Sequence, residues 1–271
     1  MPYLLNSPFK KASLNIMKEL SNSQLMRYSR HIMLKDMDID GQEKLWNSKV
    51  LIIGLGGLGC AVAQYLTASG IGELTLVDDD TVDITNLQRQ VLHHEASIGL
   101  SKCLSAKASL RAINSEIRLN TIEQRLAGKH LADVITKHDI VIDCSDNLIT
   151  RNELNLQCYQ LKKTLVSGAA IRMEGQVSVY DMQATTPCYQ CLSQHFGEQI
   201  LTCVEAGVLS PVVGIVGNMQ ACEAIKVLAG IGQPLIGKLM LLDASDMSIN
   251  TFSILKSPQC SVCGEIPFIS E

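Results

Sequence analysis

Lys49-Val-Leu-Ile-Ile-Gly-Leu-Gly-Gly-Leu-Gly-Cys60 decides how this chain of 271 residues folds. The apolar run before Gly54 reads as a strand buried on both faces, as parallel strands are. Gly54, Gly56 and Gly59 satisfy G-x-G-x-x-G, and residues 60–69 then read as a helix stopped by Gly70. Glu73-Leu-Thr-Leu-Val-Asp78 is a second buried strand, ending in an acid about twenty residues past the loop. Strand, Gly-rich turn, helix and acid in that order form a nucleotide-binding loop. The glycines let the backbone approach phosphates, and Gly57 lies inside that turn. The helix start offers free N–H groups and the positive end of its dipole. Asp78 can accept from ribose hydroxyls. On this loop alone the default nucleotide is NAD.

Working outward, an amphipathic helix is expected over residues 23–34, with Leu25, Tyr28, Ile32 and Met33 near helical spacing and Ser21 or Ser23 as its cap. After Asp78 the pattern predicts a helix over 102–113, a strand over 139–143, a helix over 147–161 and a strand over 164–168. Such alternation argues for a doubly wound parallel sheet. From Gln176 the pattern changes. Gln176-Val-Ser-Val-Tyr180 alternates as a half-exposed antiparallel strand does. An irregular stretch follows over 184–210, then a helix over 211–229 opened by a proline, then alternating strands over 238–243 and 248–255. The expected fold is therefore α/β, a Rossmann-like doubly wound sheet whose parallel N-terminal half continues into antiparallel C-terminal strands. One domain over 19–266 is expected, between a disordered N-terminal tail (1–18) and a short C-terminal tail (267–271).

The net charge of −4 leaves no basic field for nucleic acid or an anionic membrane. No apolar run is read as long enough to cross a bilayer, and no export signal is read, so a cytoplasmic location is expected. In a reducing compartment ten cysteines are thiols or metal ligands. Cys188-Tyr-Gln-Cys191 and Cys260-Ser-Val-Cys263 supply four thiolates, which suits a closed, structural Zn²⁺ site. A redox pair is the rival reading, but it needs no duplicate and no thioredoxin-like context surrounds either pair. Cys203 has two readings, a nucleophile for a thioester or persulfide relay and a small buried hydrophobe.

Between the loop and the cysteines lie Asp78-Asp-Asp80, Asn86-Leu-Gln-Arg89 and, at a helix start, Lys102. A hydride-transfer enzyme has no need for this set. An enzyme acting on a triphosphate does, because Arg89 and Lys102 can neutralise charge as pyrophosphate leaves. Asp146 follows a buried strand at the sheet's C-terminal edge, where a carboxylate can hold Mg²⁺ or cap the next helix.

Together these segments resemble a known family, the bacterial molybdopterin-synthase adenylyltransferases of the ubiquitin-activating superfamily. The likeness is carried by Arg27-Tyr-Ser-Arg30-His, Gly41-Gln-Glu-Lys-Leu, the Gly54–Cys60 loop, Asn86-Leu-Gln-Arg-Gln-Val-Leu-His93, Asp143-Cys-Ser-Asp-Asn147, Val166-Ser-Gly-Ala-Ala-Ile-Arg-Met-Glu-Gly-Gln176, Thr202-Cys-Val-Glu-Ala-Gly207 and both cysteine pairs. The resemblance implies ATP as substrate, with Gly57 and Asp78 on the adenosine side. It implies that Thr85, Asn86, Leu87, Gln88 and Arg89 line the pocket, that Lys102 stabilises the triphosphate, and that Asp146 holds Mg²⁺ with Asn147 beside it. It further implies zinc on the four paired cysteines and Arg30 reaching across a homodimer. The implied partners are a ubiquitin-like sulfur carrier ending in Gly-Gly and a separate sulfurtransferase or cysteine desulfurase. Cys203 matches a loop cysteine whose importance varies among relatives. Three alternatives stand beside this reading: an adenylyltransferase for the thiamine-pathway carrier, an NAD-dependent oxidoreductase, and a carrier-binding protein without chemistry.

Overall fold

The computed structural model describes residues 18–194 and 206–265. Parallel strands β1 (Lys49–Ile53), β2 (Glu73–Val77), β3 (Arg118–Ile122), β4 (Ile140–Asp143) and β5 (Thr164–Ile171) are followed by antiparallel β6 (Glu174–Tyr180), β7 (Lys238–Asp243) and β8 (Ser248–Ser253). They form one sheet in the order β3-β2-β1-β4-β5-β6-β7-β8. The doubly wound sheet with its antiparallel continuation is thus as the sequence predicts. Strand order reverses between β1 and β4, and a crevice opens at the C-terminal ends of strands at such a point.

The central strand β1 shows why the sheet is covered on both sides. Val50 and Ile52 pack with helices α4 (Gly57–Ala68), α5 (Lys102–Ile113) and α9 (Ser210–Ala229). Leu51 and Ile53 point the other way, toward α6 (Gly128–Thr136), α7 (Leu148–Leu161) and the cysteine pairs around α8 (Tyr189–Ser193). Each fully buried Leu or Ile contributes about 1.5–3 kcal/mol.

Helix α9 passes the length and composition test for a membrane span, contrary to the expectation of no such run. Half of it is buried, and it packs against α4, β5 and β6. Gln220 Nε2 donates to the Asp143 carbonyl at 2.7 Å, and Glu223 pairs with Lys226. It is a core helix of this sheet.

The expected helix over 23–34 is two short ones, α1 (Asn22–Arg27) and α2 (Ser29–Ile32), broken at Tyr28. Tyr28 is buried, and its hydroxyl accepts from Asn114 Nδ2 at 2.9 Å. Met33, expected on the buried side, is exposed. Ser21 caps α1 through a capping box with Gln24. Helices α3 (Asp38–Asn47), α6 and α8 and strand β3 were not anticipated, α8 falling in the stretch expected to be irregular, and β5 runs three residues past Gly168.

Candidate active site

The Gly-rich loop doubles back on itself. Gly54 has φ +92°, and a Cβ on Gly59 would lie 1.9 Å from the Gly54 carbonyl oxygen, so neither position accepts a side chain. Gly56 precedes α4 with no side-chain cap, which leaves the first N–H groups of the helix for a ligand. Both backbone polar groups of Leu55 are held. Its N–H donates to Asp78 Oδ2 at 2.6 Å, and its carbonyl accepts from His93 Nε2 at 3.2 Å. Burial pushes the Asp78 carboxyl above its ordinary value, partly offset by the Lys102 charge. Burial likewise lowers His93.

Across the crevice, β4 ends in Asp143, a fully buried carboxylate. Its Oδ2 lies 3.1 Å from Arg151 Nε and accepts from Ser167 Oγ, while Oδ1 accepts from the Ser145 N–H and hydroxyl. Arg151 Nη2 donates to the carbonyls of Ser145 at 2.7 Å and Gly168 at 3.1 Å. Burial works against its charge, but Asp143 and Tyr189 outweigh that, and its pKa is raised. Asn147 caps α7, accepting from the Thr150 N–H at 2.9 Å, so Asp146 is not the cap. Asp146 stands exposed at the crevice, touched by the Asn147 amide at 3.4 Å.

These walls enclose a cavity of about 770 Å³, large enough for a nucleotide. Gly54, Gly56, Gly57, Asp78, Asp80, Asn86, Arg89, Lys102, Asp146 and Asn147 line it. Lys102 is almost fully buried there, with Nζ 2.7 Å from the exposed Asp80 carboxylate. Arg89 donates to the Thr85 carbonyl at 3.2 Å. Gly59 lies behind the loop, and Thr85, Leu87 and Gln88 are outside the lining. Arg30 is exposed on α2 and also outside it, with Nη1 3.9 Å from Met33 Sδ. Cys203 lies outside the described residues.

Sequence reasoning missed Arg125, Arg151 and Tyr189 in the wall. Arg125 is tethered to the start of α7, donating to Thr150 Oγ1 at 3.1 Å. Arg125 and Arg151 are single residues with no local motif, and Tyr189 lies inside a cysteine pair that is read for its sulfurs. Only the fourfold spacing of Asn147 and Arg151 along α7 hinted that both share one face.

The four paired cysteines converge, with all their sulfurs within 4.8 Å of one another and buried. Cys188 lies 3.7 Å from Cys260, and Cys191 lies 3.3 Å from Cys263. A tetrahedral ion with bonds of about 2.3 Å needs sulfurs about 3.8 Å apart. N–H donors also face two of them, Asn155 Nδ2 toward Cys188 and the Ser257 N–H toward Cys191. The donor set fits a metal.

The ThiF family model matches residues 28–262. The chain belongs to the ThiF family. This ThiF-family chain is 51% identical over 249 residues to a molybdopterin-synthase adenylyltransferase of Escherichia coli, covering 92% of the chain and 100% of that protein. It is 53% identical over 238 residues to the protein of that name from Haemophilus influenzae, covering 88% of the chain and 98% of the relative. An adenylyltransferase and sulfurtransferase of Drosophila persimilis is 43% identical over 256 residues, 93% of the chain but 56% of that longer protein. Among solved structures, Escherichia coli MccB bound to ATP superposes with a TM-score of 0.75 at 28% identity, covering 88% of this chain and 73% of that one.

Proposed function

We propose that this ThiF-family chain adenylates the C-terminal glycine carboxylate of a ubiquitin-like sulfur carrier, the small subunit of molybdopterin synthase, in molybdenum cofactor biosynthesis. The observation that carries the reading is one cavity that joins a free helix N-terminus, a buried lysine and an exposed carboxylate at the switch point of the sheet. Identity of 51% along the whole length of a molybdopterin-synthase adenylyltransferase supports the choice of carrier.

In the proposed reaction a carrier carboxylate oxygen attacks the α-phosphorus of ATP. The bond to the bridging oxygen breaks, pyrophosphate departs, and an acyl-adenylate is left. The protein contributes position and charge. The N–H groups of α4 and the Arg89 and Lys102 cations receive the anionic phosphates, and Asp78, which lines the cavity, is the acceptor for the ribose hydroxyls. Asp146 offers hard oxygen ligands, so it is the residue that would hold Mg²⁺, which supplies further charge neutralisation on the phosphates. The Cys188, Cys191, Cys260 and Cys263 set would hold Zn²⁺ as a structural ion. Arg30 is exposed and lies outside the lining of its own cavity, which suits a role at the cavity of a second copy in a homodimer. A separate sulfurtransferase or cysteine desulfurase, working in the cytoplasm, would then exchange AMP for sulfur, with Cys203 available as a relay.

The test is ATP–pyrophosphate exchange with the molybdopterin-synthase small subunit and, separately, with the thiamine-pathway carrier. Exchange driven by the first alone is the expected result. Exchange driven by the second moves the pathway, and none with either sinks the adenylation reading. Asp146→Ala is expected to abolish exchange while carrier binding persists.

A further inference from the structure

The Cys₄ cluster and the nucleotide cavity share a wall. Cys188 is a sulfur ligand candidate, and the next residue, Tyr189, lines the cavity. Asn155 joins the two. It is fully buried on α7, with Nδ2 3.5 Å from Cys188 Sγ and Oδ1 accepting from the Tyr189 N–H at 2.8 Å. A single amide therefore spans the sulfur and the backbone of the residue beside it. Tyr189 in turn braces Arg151, whose guanidinium sits 5.8 Å from the ring centroid. The back of the ring is fixed edge-on by Tyr180, with centroids 6.1 Å apart at 83°.

Arg151 is the end of this chain of contacts. Through Asp143, Ser145 and Gly168 it ties the end of β4 to β5, directly before Asp146 and Asn147. We propose that Asn155, Tyr189 and Arg151 form a positioning relay through which metal held by the Cys₄ cluster orders the cavity wall that carries Asp146. This rests on the adenylation reading. The physical basis is that a metal fixes the Cys188 sulfur and the turn that follows it. Asn155 and the Tyr189 ring then lose their alternatives, and so does the Arg151 fork. None of the three is a catalytic residue. They act through the segment from Asp143 to Asn147.

The link is tested by crossing metal removal with a Tyr189 variant in the full-length, metal-loaded protein. ATP binding without carrier is measured at equilibrium before and after chelation, with metal content and thermal midpoint recorded for each sample. In the wild type, chelation is expected to weaken ATP binding. Tyr189→Leu is expected to retain its metal yet bind ATP about 5- to 30-fold more weakly, the range set by losing a buried cation–π contact. Chelation should then weaken that variant far less than the wild type. Tyr189→Phe keeps the ring and is expected to recover most of the affinity and the metal sensitivity. Equal weakening of the wild type and Tyr189→Leu by chelation overturns the relay, as does a metal-loaded Tyr189→Leu that binds ATP like the wild type. If chelation unfolds the wild type, metal-loaded Asn155→Leu decides, because Asn155 joins the Cys188 sulfur to Tyr189 from outside the cavity lining: weaker ATP binding is expected, and wild-type binding overturns the relay. Wild-type pyrophosphate exchange is run alongside. Its absence sinks the adenylation reading and the relay together, whereas normal exchange with no Tyr189 effect sinks the relay only.

Discussion

Replacing Lys102 by methionine separates charge from packing in this site. The lysine stem is buried, and its side chain is 7% exposed, while the Asp80 carboxylate it meets is 68% exposed. An ion pair with one solvated partner contributes about 1 kcal/mol or less to folding. Methionine fills a similar volume with apolar atoms, so Lys102→Met is expected to unfold in urea within about 1 kcal/mol of the wild type. The chemistry is different. A unit charge about 4 Å from a phosphate oxygen interacts by about 4 kcal/mol at an effective permittivity of 20. Only the part gained as pyrophosphate departs speeds the reaction, and about 3 kcal/mol of differential stabilisation corresponds to about 100-fold in rate. The prediction is therefore an exchange rate lowered about 100-fold in a protein of nearly unchanged stability. The assay pairs carrier-stimulated pyrophosphate exchange with urea unfolding of the same preparation. Exchange within threefold of the wild type removes Lys102 from the phosphate site. A large stability loss that tracks the loss of exchange shows instead that the Asp80 pair is chiefly structural.

Gly59→Ala places a Cβ 1.9 Å from the Gly54 oxygen. It is expected to destabilise by about 2–3 kcal/mol through overpacking and to weaken ATP binding. An unchanged urea midpoint refutes the tight loop. Metal analysis should find about one ion per chain, lost in Cys188→Ser. Metal-free wild-type protein of normal stability would falsify the Cys₄ assignment. Burial lowers the pKa of both His93 and His138 from 6.5. The unfolded chain therefore binds protons that the folded one resists, and the stability present above pH 6.5 is lost as pH falls through the lower folded values. Urea midpoints at pH 7.5 and 5.5 should show this fall, reduced in His138→Gln. An identical fall in that variant would show that His138 carries none of it.

The elements legible in advance were those with strong local signals. Helix α5 and strand β7 match their expected bounds, because Ser101-Lys102 and the alternation over Lys238–Asp243 mark them. The edge strand β3 reads Arg-Leu-Asn-Thr-Ile, with only Leu119 buried, so it carries little hydrophobic signal. Helix α3 begins at Asp38 with φ +47°, a start that ordinary capping rules do not describe. The sequence expectation ends strand β5 at Gly168, whereas the strand continues to Ile171. The structure uses Gly168 for close approach, since a Cβ there would lie 2.4 Å from Gln220. The site follows the same division. The Gly-rich loop and the cysteine pairs are local patterns, whereas Arg151 and Tyr189 meet only through folding of segments 38 positions apart.

The cysteine pairs also change what a broken chain means for this protein. Each cross-pair spans 72 positions, and α9, β7 and β8 all lie within that span. A single peptide-bond cut between Cys191 and Lys238 leaves two fragments joined by a bound ion and by the ladder between β6 and β7, and a cut between β7 and β8 leaves them joined by the ion and the β7–β8 ladder. Such nicked molecules would travel as one species under native conditions and part only when chelator and denaturant act together.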